Sequence, residues 1–123
     1  MRVIKFRAWD KVDGKIVPTE EVNNWRIGGS VQSQLFEVMQ YTGLKDKNGT
    51  EIYDGDYIRY STRTINGSIF THVCRVFQHE SGTWRIEGYH EDNHSYETKG
   101  TVYAAHLICE VIGNIYENPE LLK

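Results

Sequence analysis

The chain is poor in residues that would commit it to a specialised class. Among 123 residues there are two prolines and two cysteines, and Lys or Arg never occur three in a row. Few prolines and a 12% aromatic share, with three Trp and eight Tyr, exclude a disordered chain. Cys74 and Cys109 make no disulfide framework and no Cys-x-x-Cys pair, so both are read as reduced and partly buried. No apolar run approaches the roughly 20 residues of a membrane span, so no membrane association is expected. The opening Met1-Arg2-Val3-Ile4-Lys5-Phe6-Arg7 lacks the continuous apolar core of a signal peptide, and a cytoplasmic location is expected. Net charge is −3, without the basic patch that usually marks a nucleic-acid binder. Phosphate-loop, dinucleotide and Gly-x-Ser-x-Gly signatures are missing, so no cofactor and no catalytic residue are assigned.

What is present is a series of strand and turn signals. Ile4, Phe6 and Ala8 alternate with Lys5, Arg7 and Trp9, the period of a strand. Asp13-Gly14 predicts a two-residue hairpin turn, with Lys15-Ile16-Val17 as the return strand stopped by Pro18. Thr19 to Asn24 reads as a polar loop, Trp25-Arg26-Ile27 as a short strand, and Leu35 to Tyr41 as a strand. Turns are predicted at Lys47-Asn48-Gly49, Asp54-Gly55-Asp56, Asn66-Gly67 and Glu80-Ser81-Gly82. Between and beyond them, strands are predicted over Tyr57 to Arg63, Ile69 to Gln78, from Trp84 to Gly88, and over Cys109 to Tyr116. Gly88 to Gly100 reads as a polar excursion, Ala104-Ala105-His106 as a helical turn, and Asn118-Pro119 as the start of a short terminal helix. Strands at this spacing with Gly turns indicate a mostly-β sandwich or barrel.

Three blocks resemble the YopX family. They are Phe6-Arg7-Ala8-Trp9-Asp10, Gln40 to Asp56 with its Thr-Gly-Leu-Lys-Asp-Lys-Asn-Gly and Glu-Ile-Tyr-Asp-Gly-Asp runs, and Glu110 to Leu122. The resemblance implies a protein of phages and prophages. It also implies a small SH3-like barrel with an additional N-terminal β-hairpin segment. The chain is then one domain, 1–123, with an N-terminal β subdomain at 1–40 and the barrel at 41–123. The resemblance implies no activity. Gly43, Gly49, Gly55, Asp56 and Gly113 are assigned to turn and barrel architecture. Gly55 suits a positive φ, and Asp56 a carboxylate accepting a backbone N–H.

Three functional readings compete. His90-Glu91-Asp92-Asn93-His94 matches the His-Glu-x-x-His pattern of zinc hydrolases, with His90 and His94 as metal ligands. That chemistry requires a helix, and Asp92, Asn93 and Ser95 are poor helix formers, so a solvated loop is preferred. His72, Cys74 and Cys109 form a second candidate cluster, in which His72 and Cys74 share a strand face. The aromatics exceed what one small core requires, and Tyr and Trp concentrate in binding hot spots. Tyr57, Arg59, Trp84 and Tyr89 are the candidate interaction surface. Arg59, Arg63, Arg75 and Arg85 interleaved with rings would suit a single-stranded nucleic acid, which is not favoured at this net charge. The preferred reading is a non-catalytic accessory module that binds a host or phage protein, with homo-oligomerisation as a natural outcome of exposed strand edges.

Overall fold

The computed structural model describes residues 5–22, 35–90 and 95–122. The predicted strand at Trp25–Ile27 and the position of His94 lie outside these residues. Strands dominate: β1 (Phe6–Asp10), β2 (Lys15–Val17), β3 (Phe36–Lys45), β4 (Glu51–Tyr53), β5 (Asp56–Arg63), β6 (Ile69–Gln78), β7 (Trp84–His90), β8 (Ser95–Thr101) and β9 (Glu110–Asn114). Two one-turn helices, α1 (Thr19–Val22) and α2 (Val102–Ala105), and a 3-10 turn at Pro119–Leu122 complete it.

The strands form a four-stranded sheet, β2-β1-β3-β4, and a five-stranded sheet, β8-β7-β6-β5-β9. Every pairing is antiparallel. The fold is mostly β with a sheet curled into a half-barrel, as in a small β barrel. β3 serves both ends of the first sheet, pairing with β1 through Phe36–Gln40 and with β4 through Tyr41 and Lys45.

Several local expectations are revised. The first hairpin turns through four residues, 11–14, because Asp10 pairs directly with Lys15. Asp10 Oδ1 accepts the N–H groups of Val12 and Asp13, and Gly14 N donates to Asp10 O, so an Asp side chain builds the turn. Thr19–Val22 is a helical turn instead of a loop, since Pro18 O accepts from both Glu21 N and Val22 N. The polar excursion after Gly88 contains β8, held by cross-strand partners from His90↔Ser95 to Arg85↔Thr101. Its polar side chains hid a strand whose stability comes from the ladder with β7.

The main core gathers Ile52, Ile58, Cys74, Val76, Ile86, Val102, Ala105 and Cys109, with Leu44, Tyr60, Trp84 and Val111 at its margin. A second cluster of Met39, Tyr41 and Tyr53 is flanked by Trp9, Ile16 and Tyr116. Trp9 and Tyr116 stack with centroids 5.7 Å apart, tying the first sheet to the chain after β9.

Candidate functional site

The turn between β4 and β5 joins the two sheets, and its backbone groups bond to β3, to β6 and to the residue just past β9. Asp54 N donates to Gln40 O of β3, and Gly55 N to Val76 O of β6. Gly55 O accepts from Ile115 N, just past β9. Gly55 has φ +86°, and a Cβ there would lie 3.4 Å from the Ile115 side chain. Asp56, 1% exposed, accepts Tyr53 N on Oδ2 at 2.8 Å across the turn. Its other oxygen is held by the Arg7 guanidinium of β1. Arg7 also lies over the Tyr53 ring, 4.3 Å from its centroid, and donates to Met39 Sδ. Burial pushes the Asp56 carboxyl up to about 6, against the opposing pull of Arg7 and the Tyr53 N–H. Burial also raises Asp54, with Arg75 opposing. Both Asp56 carboxylate oxygens are thus engaged, one by the turn and one by Arg7.

The other assigned architectural residues have separate tasks. Gly49 closes the β3–β4 hairpin, donating to Asp46 O. Asp46 is buried, and its Oδ1 accepts Asn48 N and Thr50 N while Oδ2 accepts Val111 N of β9. One carboxylate therefore shapes the hairpin and covers part of the β9 edge. Gly113 is needed for close approach, since a Cβ there would meet Asn118 Oδ1 at 2.3 Å. Gly43 has φ +89° within β3 and sits in a bulge, where four steps from Tyr41 to Lys45 oppose two from Tyr53 to Glu51. Thr42 pins the bulge by donating to Ile52 O at 2.8 Å and accepting from Leu44 N.

That bulge forms one wall of an open cleft of about 850 Å³. Tyr41 to Leu44 face the β6–β7 turn, Ser81 to Trp84, and Thr101 and Tyr103 from the start of α2 close the end. None of the lining residues is charged. Tyr103 is 76% exposed, whereas Trp84 is half-buried and packs against the main core. Thr101 caps α2 by accepting Ala104 N, and Ser81 Oγ contacts His79 Nδ1 and Thr83 Oγ1. Sequence reasoning singled out Trp84 but assigned Tyr103, Thr83 and Thr101 no place beside it. No local signal in the sequence places the Gly43 bulge opposite the β6–β7 turn.

The structure divides the proposed interaction residues. Tyr57 is buried, 4% exposed, so it is not a surface ring. It lies opposite Arg75 and Gly113 on the sheet face away from Ile58, and the terminal 3-10 turn packs against the neighbouring β6. Arg59 is exposed but paired with Glu110, and Arg75 is paired with Glu87. Tyr89 is placed in β7 by its backbone, paired with Tyr96, and its side chain falls outside the described set.

The first residue of the hydrolase pattern, His90, lies in a strand, and Glu91 and His94 lie outside the described residues. His90 ends strand β7 and pairs with Ser95 of β8, so the segment starts in a sheet. Among the described residues no three His, Cys, Asp or Glu side chains gather as a metal site. His72 stacks on Tyr60, at 4.9 Å between centroids, and bonds Thr62 Oγ1 through Nε2. Cys74 and Cys109 share the main core, and burial pushes the Cys109 thiol up to about 11, leaving it protonated and unreactive near neutrality.

Fold and site together define a small β protein with an uncharged cleft beside a rigid sheet junction. The YopX protein family model matches residues 5–123, and the chain belongs to that family. Among solved structures, protein EF1440 from Enterococcus faecalis is similar over 100% of both chains, with 23% identity and a TM-score of 0.58, a likeness of fold. No curated protein matches the chain.

Proposed function

We propose that this protein is a non-catalytic interaction module of a phage or prophage, working in the host cytoplasm. It takes an extended, uncharged segment of a host or phage protein into the cleft between Gly43 and Trp84. The observation that carries this reading is the uncharged lining, with Tyr103 and Trp84 as its rings. A charged ligand buried there would lose water and gain no counter-charge, which disfavours phosphates, nucleic-acid backbones and metal ions. A neutral polypeptide loses less on desolvation, stacks apolar side chains on the rings and bonds to the Thr and Ser hydroxyls. The volume is within the usual range for binding clefts of ~300–1,000 Å³. The nucleic-acid alternative is weakened because two of its four arginines, Arg59 and Arg75, are already neutralised by glutamates.

The test compares tagged wild type with Thr83→Arg in lysate of the natural host, with and without nuclease. A peptide from the captured protein is then titrated into labelled protein, following amide shifts of Gly43, Gly82 and Trp84. The expected result is capture that survives nuclease, disappears in Thr83→Arg, and is reproduced by a peptide that shifts those amides. Equal capture by Thr83→Arg, or shifts elsewhere, refutes the cleft as the binding surface. Capture lost with nuclease replaces it with the nucleic-acid reading.

A further inference from the structure

The β5–β6 hairpin outruns its sheet. β9 accompanies β5 only along Asp56–Arg59, and β7 accompanies β6 only along Arg75–Gln78. Beyond them, Tyr60–Arg63 and Ile69–Val73 continue as a two-stranded ribbon. Every residue from Ser61 to Thr71 is exposed. Ile65 at the tip is fully exposed, and Ile69 and Phe70 are 60% and 54% exposed. A lone two-stranded ribbon is marginally stable, and its outer edges offer unpaired backbone groups.

Native edges are commonly blunted by charge, proline or a bulge. Ile69-Phe70-Thr71-His72-Val73 has no Asp, Glu, Lys, Arg or Pro, and its ladder with β5 runs without a register shift. All five residues are suited to a strand, and Ile, Phe, Thr and Val strongly so.

We propose that the ribbon is a self-pairing arm, in which the outer edge of β6 adds antiparallel to the same edge of a second copy. The two-fold axis passes Thr71. Ile69 then faces Val73 of the other copy, Phe70 faces His72, and Thr71 faces Thr71. β-Branched pairs and ring pairs are the favourable cross-strand combinations, and here the symmetry produces both. The second copy is the fitting occupant because an uncharged edge has no charge handle for selecting a foreign strand. Self-pairing also places no like charges opposite one another. With a net charge of −3, two copies repel only weakly. The Tyr60–His72 stack and the Thr62–His72 bond orient His72 on the face it shares with Phe70. The dimer carries two clefts, so a partner with two copies of the recognised segment gains avidity.

The test uses sedimentation velocity and cysteine cross-linking on the full chain. Wild type is expected to sediment as a dimer. Thr71→Lys, at an exposed position, puts two cations on the axis and raises the dimer Kd several-fold, with partial recovery at high salt. Thr71→Cys forms an intermolecular disulfide under mild oxidation, whereas Ile69→Cys, facing Val73, does not. A monomeric wild type up to its solubility limit overturns the proposal. So does a dimer insensitive to Thr71→Lys, or equal cross-linking at positions 69 and 71. Ile65→Lys, at the tip, separates strand pairing from general apolar clumping. It leaves a paired dimer intact, and loss of the dimer there overturns the strand-edge geometry.

Discussion

Replacing Asp56 by Asn removes one titration and keeps the shape of the side chain. The carboxyl ordinarily ionises near 3.8 and is pushed up to about 6 in the folded protein, mainly by burial. A folded-state value above the unfolded one means that the folded protein binds the proton more tightly. The contribution of Asp56 to stability is therefore largest below pH 3.8 and declines as pH rises through about 6. The full shift corresponds to about 3 kcal/mol. Between pH 7 and pH 5 the wild type should regain on the order of 1 kcal/mol relative to Asp56→Asn. Against the ionised carboxylate the variant loses a hydrogen bond worth ~1–3 kcal/mol, because an amide has one acceptor oxygen for both Arg7 and Tyr53 N–H. The pH slope of the difference is the informative quantity. The assay is urea unfolding of both proteins, followed by tryptophan fluorescence, at half-unit steps from pH 7.5 to 4.5. A flat difference, or one in which wild type loses ground on acidification, refutes the reasoning. The second outcome would mean that Arg7 outweighs burial and holds Asp56 ionised.

Two further substitutions test the architecture. Gly55→Ala should cost about 1–3 kcal/mol, and Gly49→Ala less, because both force a side chain to positive φ but only Gly55 adds a contact with Ile115. Thermal unfolding of the two variants side by side checks the order, and a Gly49 cost equal to or above that of Gly55 contradicts it. Asp46→Ala strips acceptors from three backbone N–H groups and should cost ~2–4 kcal/mol in urea unfolding. A loss below ~1 kcal/mol would show that water replaces the carboxylate at the β9 edge.

Much of the fold was legible because its signals are local. Gly49, Gly67 and Gly82 mark turns where expected, and β6 runs from Ile69 to Gln78 as its composition predicts. β8 was missed because Ser95–Thr101 has weak strand propensity and is held by its partner strand. Arg7 misleads in a different way. It alternates out of phase with Phe6 and Ala8, as a solvent-facing residue would, yet it points at Met39, Tyr53 and Asp56. Periodicity reports which residues share a face, and it does not report that a buried carboxylate waits there. Tyr57 erred in the opposite sense, since a ring in an alternating strand gives no sign of how fully its face is covered.

The sequence by itself determined the mostly-β class, most turns, the family, and the role of Asp54-Gly55-Asp56 as a turn. Those depend on φ preferences, on hydrogen bonds within a few residues, and on motif order along the chain. Only the tertiary structure decided that Asp56 pairs with Arg7, 49 residues away, and that Asp46 reaches Val111, 65 residues away. It likewise decided that the β3 bulge meets the β6–β7 turn to form a cleft, and that the β5–β6 hairpin extends beyond its neighbours. The reason is physical: pairing, burial and charge compensation depend on which surfaces the folded chain brings together, and no local propensity specifies a neighbour so distant in sequence.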